Sequence, residues 1–243
     1  MQIQAIKTRI FKKDENLNSF IFQHVKSLKE NSILVITSKI LALSEGRVGK
    51  YENEKQKEDI IKRESDFALE TKYAWLTIKD GVVMANAGID ESNVGSQLGN
   101  IIFLPKDSFI SASKIRKVLL KKFQIKNLGI LITDSRLFPL RLGVVGFALG
   151  YAGFEGLRNY VGKEDIFGRK FKMSKVNIAD SLATSATLCM GEGNEQQPLA
   201  VISDAPVVFT NKKVNEKELK INLKEDIYAP LFNNINKIKK IKK

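Results

Sequence analysis

Three short apolar runs constrain this chain most: "SILVITSK" at Ser32–Lys39, "NLGILITDS" at Asn127–Ser135 and "PLAVISDA" at Pro198–Ala205. Each rises through Ile, Leu or Val and stops on Thr or Ser, with Lys39, Asp134 or Asp204 close by. Runs apolar at successive positions read as strands buried in a layered structure, with polar groups gathered at one end. Ligands collect at such ends, where side chains leave the core in a fixed direction. At "LAVISDAP" the following proline makes Asp204 an ordinary turn residue.

The segments between them carry helical periodicity. "ENLNSFIFQHVKSLK" puts Leu17, Phe20, Ile21, His24 and Leu28 on one face. "SASKIRKVLLKKF" has a Ser cap, then Ile115, Val118, Leu119 and Phe123 at helical spacing. "NIADSLATSATLCMG" has Asn177 as N-cap, Asp180 three residues on and Gly191 as its stop. "WLTIKDGVVM" alternates like two strands turning at Lys79-Asp80-Gly81. Residues 50–62, "KYENEKQKEDIIK", read as a surface loop entering a helix.

Composition narrows the chemistry. There is one cysteine, Cys189, and one histidine, His24, which sits on an apolar helix face and reads as a packed residue. Zinc clusters and Ser-His or Cys-His nucleophiles are therefore not available, and any metal is held by oxygen. No P-loop, dinucleotide fingerprint or G-x-S-x-G elbow occurs. The oxygen-rich set is Asp90, Glu91 and Asn93 in "ANAGIDESNV", Asp134 with Ser135, and Glu192 beside Gly191 and Gly193. Magnesium or manganese is held by such carboxylates, with substrate phosphates and water completing the shell. The same residues also suit turns and caps. Glycines in "GVVGFALGYAGFEGL" suit close backbone approach, either to a ligand or between elements. A net charge of +13, partly in the tail "NKIKKIKK", favours anionic partners. No apolar run spans a bilayer and no secretory core opens the chain, so a cytoplasmic location is expected.

"SKILALSEGRV", "RES", "ANAGIDESNV", "SASKIRKVL", "TDSRLFPLRLGVVGFALGYAGFEGL", "YVGKEDIFGRKF" and "ADSLATSATLCMGEGNEQQPLAVI" follow one another along the chain. In this order they resemble the coenzyme F-420-0: gamma-glutamyl ligase family. The resemblance implies an α+β fold of two interleaved subdomains over residues 1–210, a C-terminal extension over 211–243, and a homodimer with its site near the subunit contact. It implies GTP and Mg²⁺ or Mn²⁺ as requirements, with L-glutamate joined to an anionic acceptor, F-420-0 or a folate, through an acyl phosphate. Asp90, Asp134, Ser135 and Glu192 match metal positions. Ser38, Lys39, Asn93 and the loop from Met190 through Gly191, Gly193, Asn194 and Glu195 to Gln197 match nucleotide positions, as does Thr8–Phe11. Asp90, Asp134 and Arg141 are the implied catalytic set. Two departures stand out: Leu43 and Phe138 replace cations of the family pattern, and Arg136 appears two positions before Phe138. The residues leave open a relative that binds nucleotide without catalysis, and a basic nucleic-acid-binding protein lacking evident stacking platforms.

Overall fold

A computed structural model describes residues 1–94 and 99–232. In chain order the elements are β1 (Gln2–Ile6), α1 (Leu17–His24), β2 (Ser32–Thr37), α2 (Ser38–Ser44), β3 (Val48–Lys50), α3 (Glu54–Glu64), β4 (Phe67–Glu70), β5 (Trp75–Lys79), β6 (Val82–Ala85) and β7 (Asn100–Ile102). Then follow α4 (Ser108–Phe123), β8 (Leu128–Leu137), β9 (Val144–Ala152), β10 (Leu157–Asn159), β11 (Lys175–Asn177), α5 (Ile178–Met190), β12 (Leu199–Ser203) and α6 (Ala229–Phe232). The lysine-rich tail at 236–243 lies outside the described residues. Among those described, no helix is long and apolar enough to cross a membrane.

The three apolar runs become β2, β8 and β12 of a five-stranded mixed sheet ordered β1-β12-β2-β8-β9. Only β2 and β8 run parallel, Ser32 opposite Leu128 and Thr37 opposite Thr133. Strand alternation then splits each run between two cores. Leu34 and Ile36 of β2, with Ile130 and Ile132 of β8, meet Phe20, Ile21, Ile115 and Leu119 from α1 and α4. Ile33, Val35 and Leu131 face Leu182, Ala183, Ala186 and Met190 of α5. Each fully buried side chain contributes about 1.5 to 3 kcal/mol, so the doubly covered strands anchor the fold.

Local signals were legible, with corrections at helix ends. Asn177 caps α5, its side chain accepting from the Asp180 amide at 2.9 Å, and Gly191 ends it with φ 82°. The β5–β6 hairpin pairs Lys79 with Val82 across the left-handed residues Asp80 and Gly81. Helix α1 stops at His24, so Leu28 is buried from the following loop instead of from the helix face. His24 packs on Phe20, with ring centroids 4.4 Å apart. Helix α4 starts four residues earlier than a cap at Ser111 implies. The Asp107 carboxylate takes the Ile110 amide at 2.8 Å, and an acidic cap suits the positive end of the helix. Its buried seam is Ala112, Ile115 and Leu119, while Val118 is exposed.

Residues 48–94 and 99–102 form a satellite between α2 and α4, made of the β3–β7 pair, α3 and the β4-β5-β6 meander. Its core is Ile61, Ile89 and Ile101, backed by Trp75 and Phe103. Glu64 fastens it, accepting from Arg47 at 3.1 Å and from Lys79 at 2.8 Å. Two glycines of β9 let helices approach the sheet from opposite sides. A Cβ on Gly146 would stand 2.2 Å from Thr187 Oγ1 on α5, and one on Gly150 would stand 2.5 Å from the Ser108 backbone of α4.

Candidate active site

β2 ends at Thr37 opposite Thr133 of β8, which runs on to Leu137, and because the two strands are parallel the residues that follow this pair on each chain segment lie side by side. Ser38, first residue of α2, is thereby next to Asp134 of β8, and its hydroxyl donates to Asp134 Oδ2 at 2.8 Å. The Ser135 amide donates to Oδ1 at 2.7 Å. Burial nevertheless outweighs both bonds and, with the nearby Asp90 charge, pushes the Asp134 carboxyl up to about 6.

Asp90 reaches the same place from the satellite. It follows a tight left-handed turn in which Asn86, Ala87 and Gly88 have φ of 50°, 55° and 70°. An L-residue there is strained, and Ala87 is fully buried. Thr77 holds the turn, its hydroxyl accepting from the Ala87 amide and donating to the Met84 carbonyl, each at 2.8 Å. Asn86 Oδ1 accepts from the Trp75 amide at 2.9 Å. The chain then bridges to Ile102 through both backbone groups of Asp90.

Lys39, next to Ser38 on α2, sends its ammonium to Asp90 Oδ2 at 2.6 Å and to the Ser92 carbonyl and hydroxyl at 3.0 Å. Burial raises the Asp90 carboxyl, but Lys39 and the Ser92 amide and hydroxyl outweigh it and hold Asp90 below its ordinary value. Ser92, which the sequence reading did not single out, belongs to this cluster. The signal available was its position two residues after Asp90, where its amide closes on the carboxylate at 2.6 Å. Glu91 points elsewhere, accepting from Tyr51 at 2.8 Å and pairing with Lys57. Asn93 is exposed with φ 57°.

The loop after α5 closes another side. The Gly193 amide donates to the Glu195 carboxylate at 2.8 Å, and a Cβ on Gly191 would meet that carboxylate group at 2.4 Å. An anion thus already rests on this amide. Met190 is buried in the α5 core, Asn194 is exposed, and the Gln196 carbonyl accepts from the Thr8 amide at 2.9 Å, which joins Thr8 to the loop. Phe11 instead packs on Phe20 in the core. Glu192 accepts from the Ser135 hydroxyl. Leu43 packs against the core around α1 and α4. Arg141 lies on the exposed loop beyond β8, where its amide donates to Phe138 at 3.3 Å, and it makes no ion pair among the described residues.

Among the described residues no three His, Cys, Asp or Glu side chains converge as a closed metal cage. The donors that do converge are hard: the carboxylates of Asp90 and Asp134, electrostatically coupled, with the Ser38 and Ser92 hydroxyls attached. Two carboxylates, with water and phosphate oxygens to complete the shell, are the hard donor set that suits Mg²⁺ or Mn²⁺, ions that keep several waters.

Comparison with known proteins adds an independent line. Residues 50–204 match the family described as F420-0:Gamma-glutamyl ligase. A "Coenzyme F420:L-glutamate ligase" from Methanococcus maripaludis is 34% identical over 219 residues, covering 83% of this chain and 86% of the relative. One of the same name from Archaeoglobus fulgidus is 30% identical over 210 residues, covering 79% and 83%. Against the protein of another Methanococcus maripaludis strain, identity is 42% over 150 residues, and the match spans 62% of this chain but 58% of the relative.

Proposed function

Because the chain belongs to the F420-0:Gamma-glutamyl ligase family, we propose that it joins the amine of L-glutamate to a carboxylate of an anionic acceptor, coenzyme F-420-0, using GTP. The obstacle is charge, since a carboxylate resists nucleophiles and a triphosphate repels it. The γ-phosphoryl group first moves to the acceptor carboxylate, giving an acyl phosphate and GDP. The glutamate amine then attacks the acyl carbon, forming the amide as phosphate leaves with the C–O electron pair. Bound Mg²⁺ or Mn²⁺ would neutralise phosphate oxygens, held by Asp90 and Asp134.

The chain's own residues hold and orient. Lys39 neutralises Asp90 and stands ready for phosphate oxygens, and the Gly193 amide, now on Glu195, offers a donor to an oxyanion. Ser38 and the Ser135 amide fix the direction of Asp134. The Thr77 turn fixes that of Asp90. In this reading the active unit is a homodimer.

The observation that carries the reading is the meeting of Asp90, Lys39 and Asp134 from three separate segments at one sheet end. Purified protein should be given GTP, Mg²⁺ or Mn²⁺, L-glutamate and either F-420-0 or a folate, with products followed by mass. A glutamate-sized gain on F-420-0, lost in Asp90→Asn, is expected. A gain on the folate alone replaces the acceptor. No gain on either, or full turnover by Asp90→Asn, refutes the proposal.

A further inference from the structure

Arg136 lies two residues beyond Asp134 on β8, where pairing with β9 is regular from Thr133 to Leu137. The two side chains therefore leave the same face, about 6.6 Å apart along the strand. The guanidinium is clamped between two rings, 4.6 Å from the Phe138 centroid and 5.1 Å from that of Phe147. Its one ionic contact among the described residues is end-on, from a terminal nitrogen to Asp180 Oδ2 at 3.2 Å. It is not the paired fork that Arg and a carboxylate form when they satisfy one another.

Asp180 is well supplied without Arg136. Its Oδ1 accepts from the Ala148 amide at 2.9 Å, and its Oδ2 from Asn177 Nδ2 at 2.9 Å. Arg136 Nε, by contrast, is buried with no partner among the described residues. Nε is shut off from solvent, but the side chain is 23% exposed and its two Nη atoms make one hydrogen bond among the described residues, so the outer edge of the clamped guanidinium has donors left for an anion from outside the chain. The aromatic clamp fixes the fork before that anion arrives.

Resting on the glutamate-ligating reading above, we propose that Arg136 binds the side-chain carboxylate of the incoming L-glutamate. With its amine at the Asp134 end, glutamate can extend one strand repeat along β8 and set a carboxylate on the guanidinium. An amino acid without a side-chain carboxylate loses the contact, so Arg136 determines specificity for an acidic amino acid.

The test is calorimetric titration of the full chain with L-glutamate in Mg²⁺ and a non-hydrolysable GTP analogue. Wild type should bind, and Arg136→Met should bind about tenfold or more weakly, while Arg136→Lys falls between and the GTP analogue binds all three alike. L-glutamine, which lacks the side-chain carboxylate, should lose about as much on wild type as L-glutamate loses on Arg136→Met, and L-isoglutamine, which keeps it, should lose less; the reverse order overturns the proposal. Asp180→Asn separates recognition from architecture. It keeps one acceptor oxygen, for the Ala148 amide, and puts an NH₂ where Oδ2 accepted from Arg136, so it breaks the Arg136–Asp180 contact while leaving the guanidinium in place, and should retain glutamate binding within a few-fold. Unchanged glutamate affinity in Arg136→Met, equal losses in Arg136→Met and Asp180→Asn, or a wild type that binds no glutamate each overturns the proposal. A wild type that binds glutamate through Arg136 but forms no γ-glutamyl bond instead refutes the proposed function and leaves this assignment standing.

Discussion

Replacing Asp134 with Asn should stabilise the metal-free protein, and the gain should switch on with pH. The carboxyl is held at about 6 against an ordinary 3.8, chiefly by burial. The folded chain thus binds this proton roughly a hundredfold more tightly than the unfolded chain, a difference of about 3 kcal/mol. The sign follows from the direction: stability from this group is fully present below 3.8 and is lost as pH rises through about 6. Asparagine keeps the shape and both hydrogen bonds, because its oxygen accepts from the Ser135 amide and the Ser38 hydroxyl can turn to accept from its NH₂. It carries no charge to desolvate. Urea unfolding of wild type and Asp134→Asn in chelator, at about pH 4, 6 and 8, isolates the effect, since other groups cancel in the difference. The variant should gain little at the lowest pH and up to about 3 kcal/mol at the highest, or roughly 6 to 12 °C in Tm for a chain of this size. A difference that does not change with pH refutes the reasoning, and so does a variant less stable than wild type at pH 8.

Thr77→Val removes the hydroxyl that holds the left-handed turn and should cost about 1 to 3 kcal/mol by leaving the Ala87 amide buried and unpaired; Thr77→Ser should recover most of it in the same denaturation series. Glu64→Gln should destabilise by about 2 kcal/mol at neutral pH, as Arg47 and Lys79 lose their shared anion. Burial opposes Glu64 ionisation, but Lys79 and Arg47 win and hold it below the ordinary 4.5. The difference from wild type should therefore be present above that value and shrink as pH falls through the lowered one; growth on acidification would contradict the assignment. Gly146→Ala drives a methyl into Thr187 and the Ala183 carbonyl on α5 and should cost about 1 to 3 kcal/mol by thermal melting, with Thr187→Ser in the same chain expected to return little, since the Ala183 carbonyl still blocks the methyl.

What the sequence determined by itself was local. The apolar runs of β2, β8 and β12, the Asp80-Gly81 turn, the Asn177 cap and the Gly191 stop depend on neighbours within a few positions, where periodicity and capping speak directly. The boundaries it missed, at Leu28 and Ser111, were settled by burial and by a better cap one turn upstream. The residue types of the site were also visible, since hard oxygen donors and a lysine clustered after strands.

Only the tertiary structure decided which of them meet. Ser38 and Asp134 are 96 positions apart and Lys39 and Ser92 are 53, joined because β2 ends opposite Thr133 of its parallel partner β8 and a strained turn brings the satellite back over them. The same packing withdrew others: Tyr51 and Lys57 take Glu91, the core takes Leu43, and the β8–β9 loop carries Arg141 outward. It also showed that Gly146 and Gly150 serve helix approach and that Arg136, not its more exposed neighbours, is clamped with a donor to spare. Side-chain direction, burial and long-range pairing fix such outcomes, and none of them is a property of a residue and its nearest neighbours in the chain.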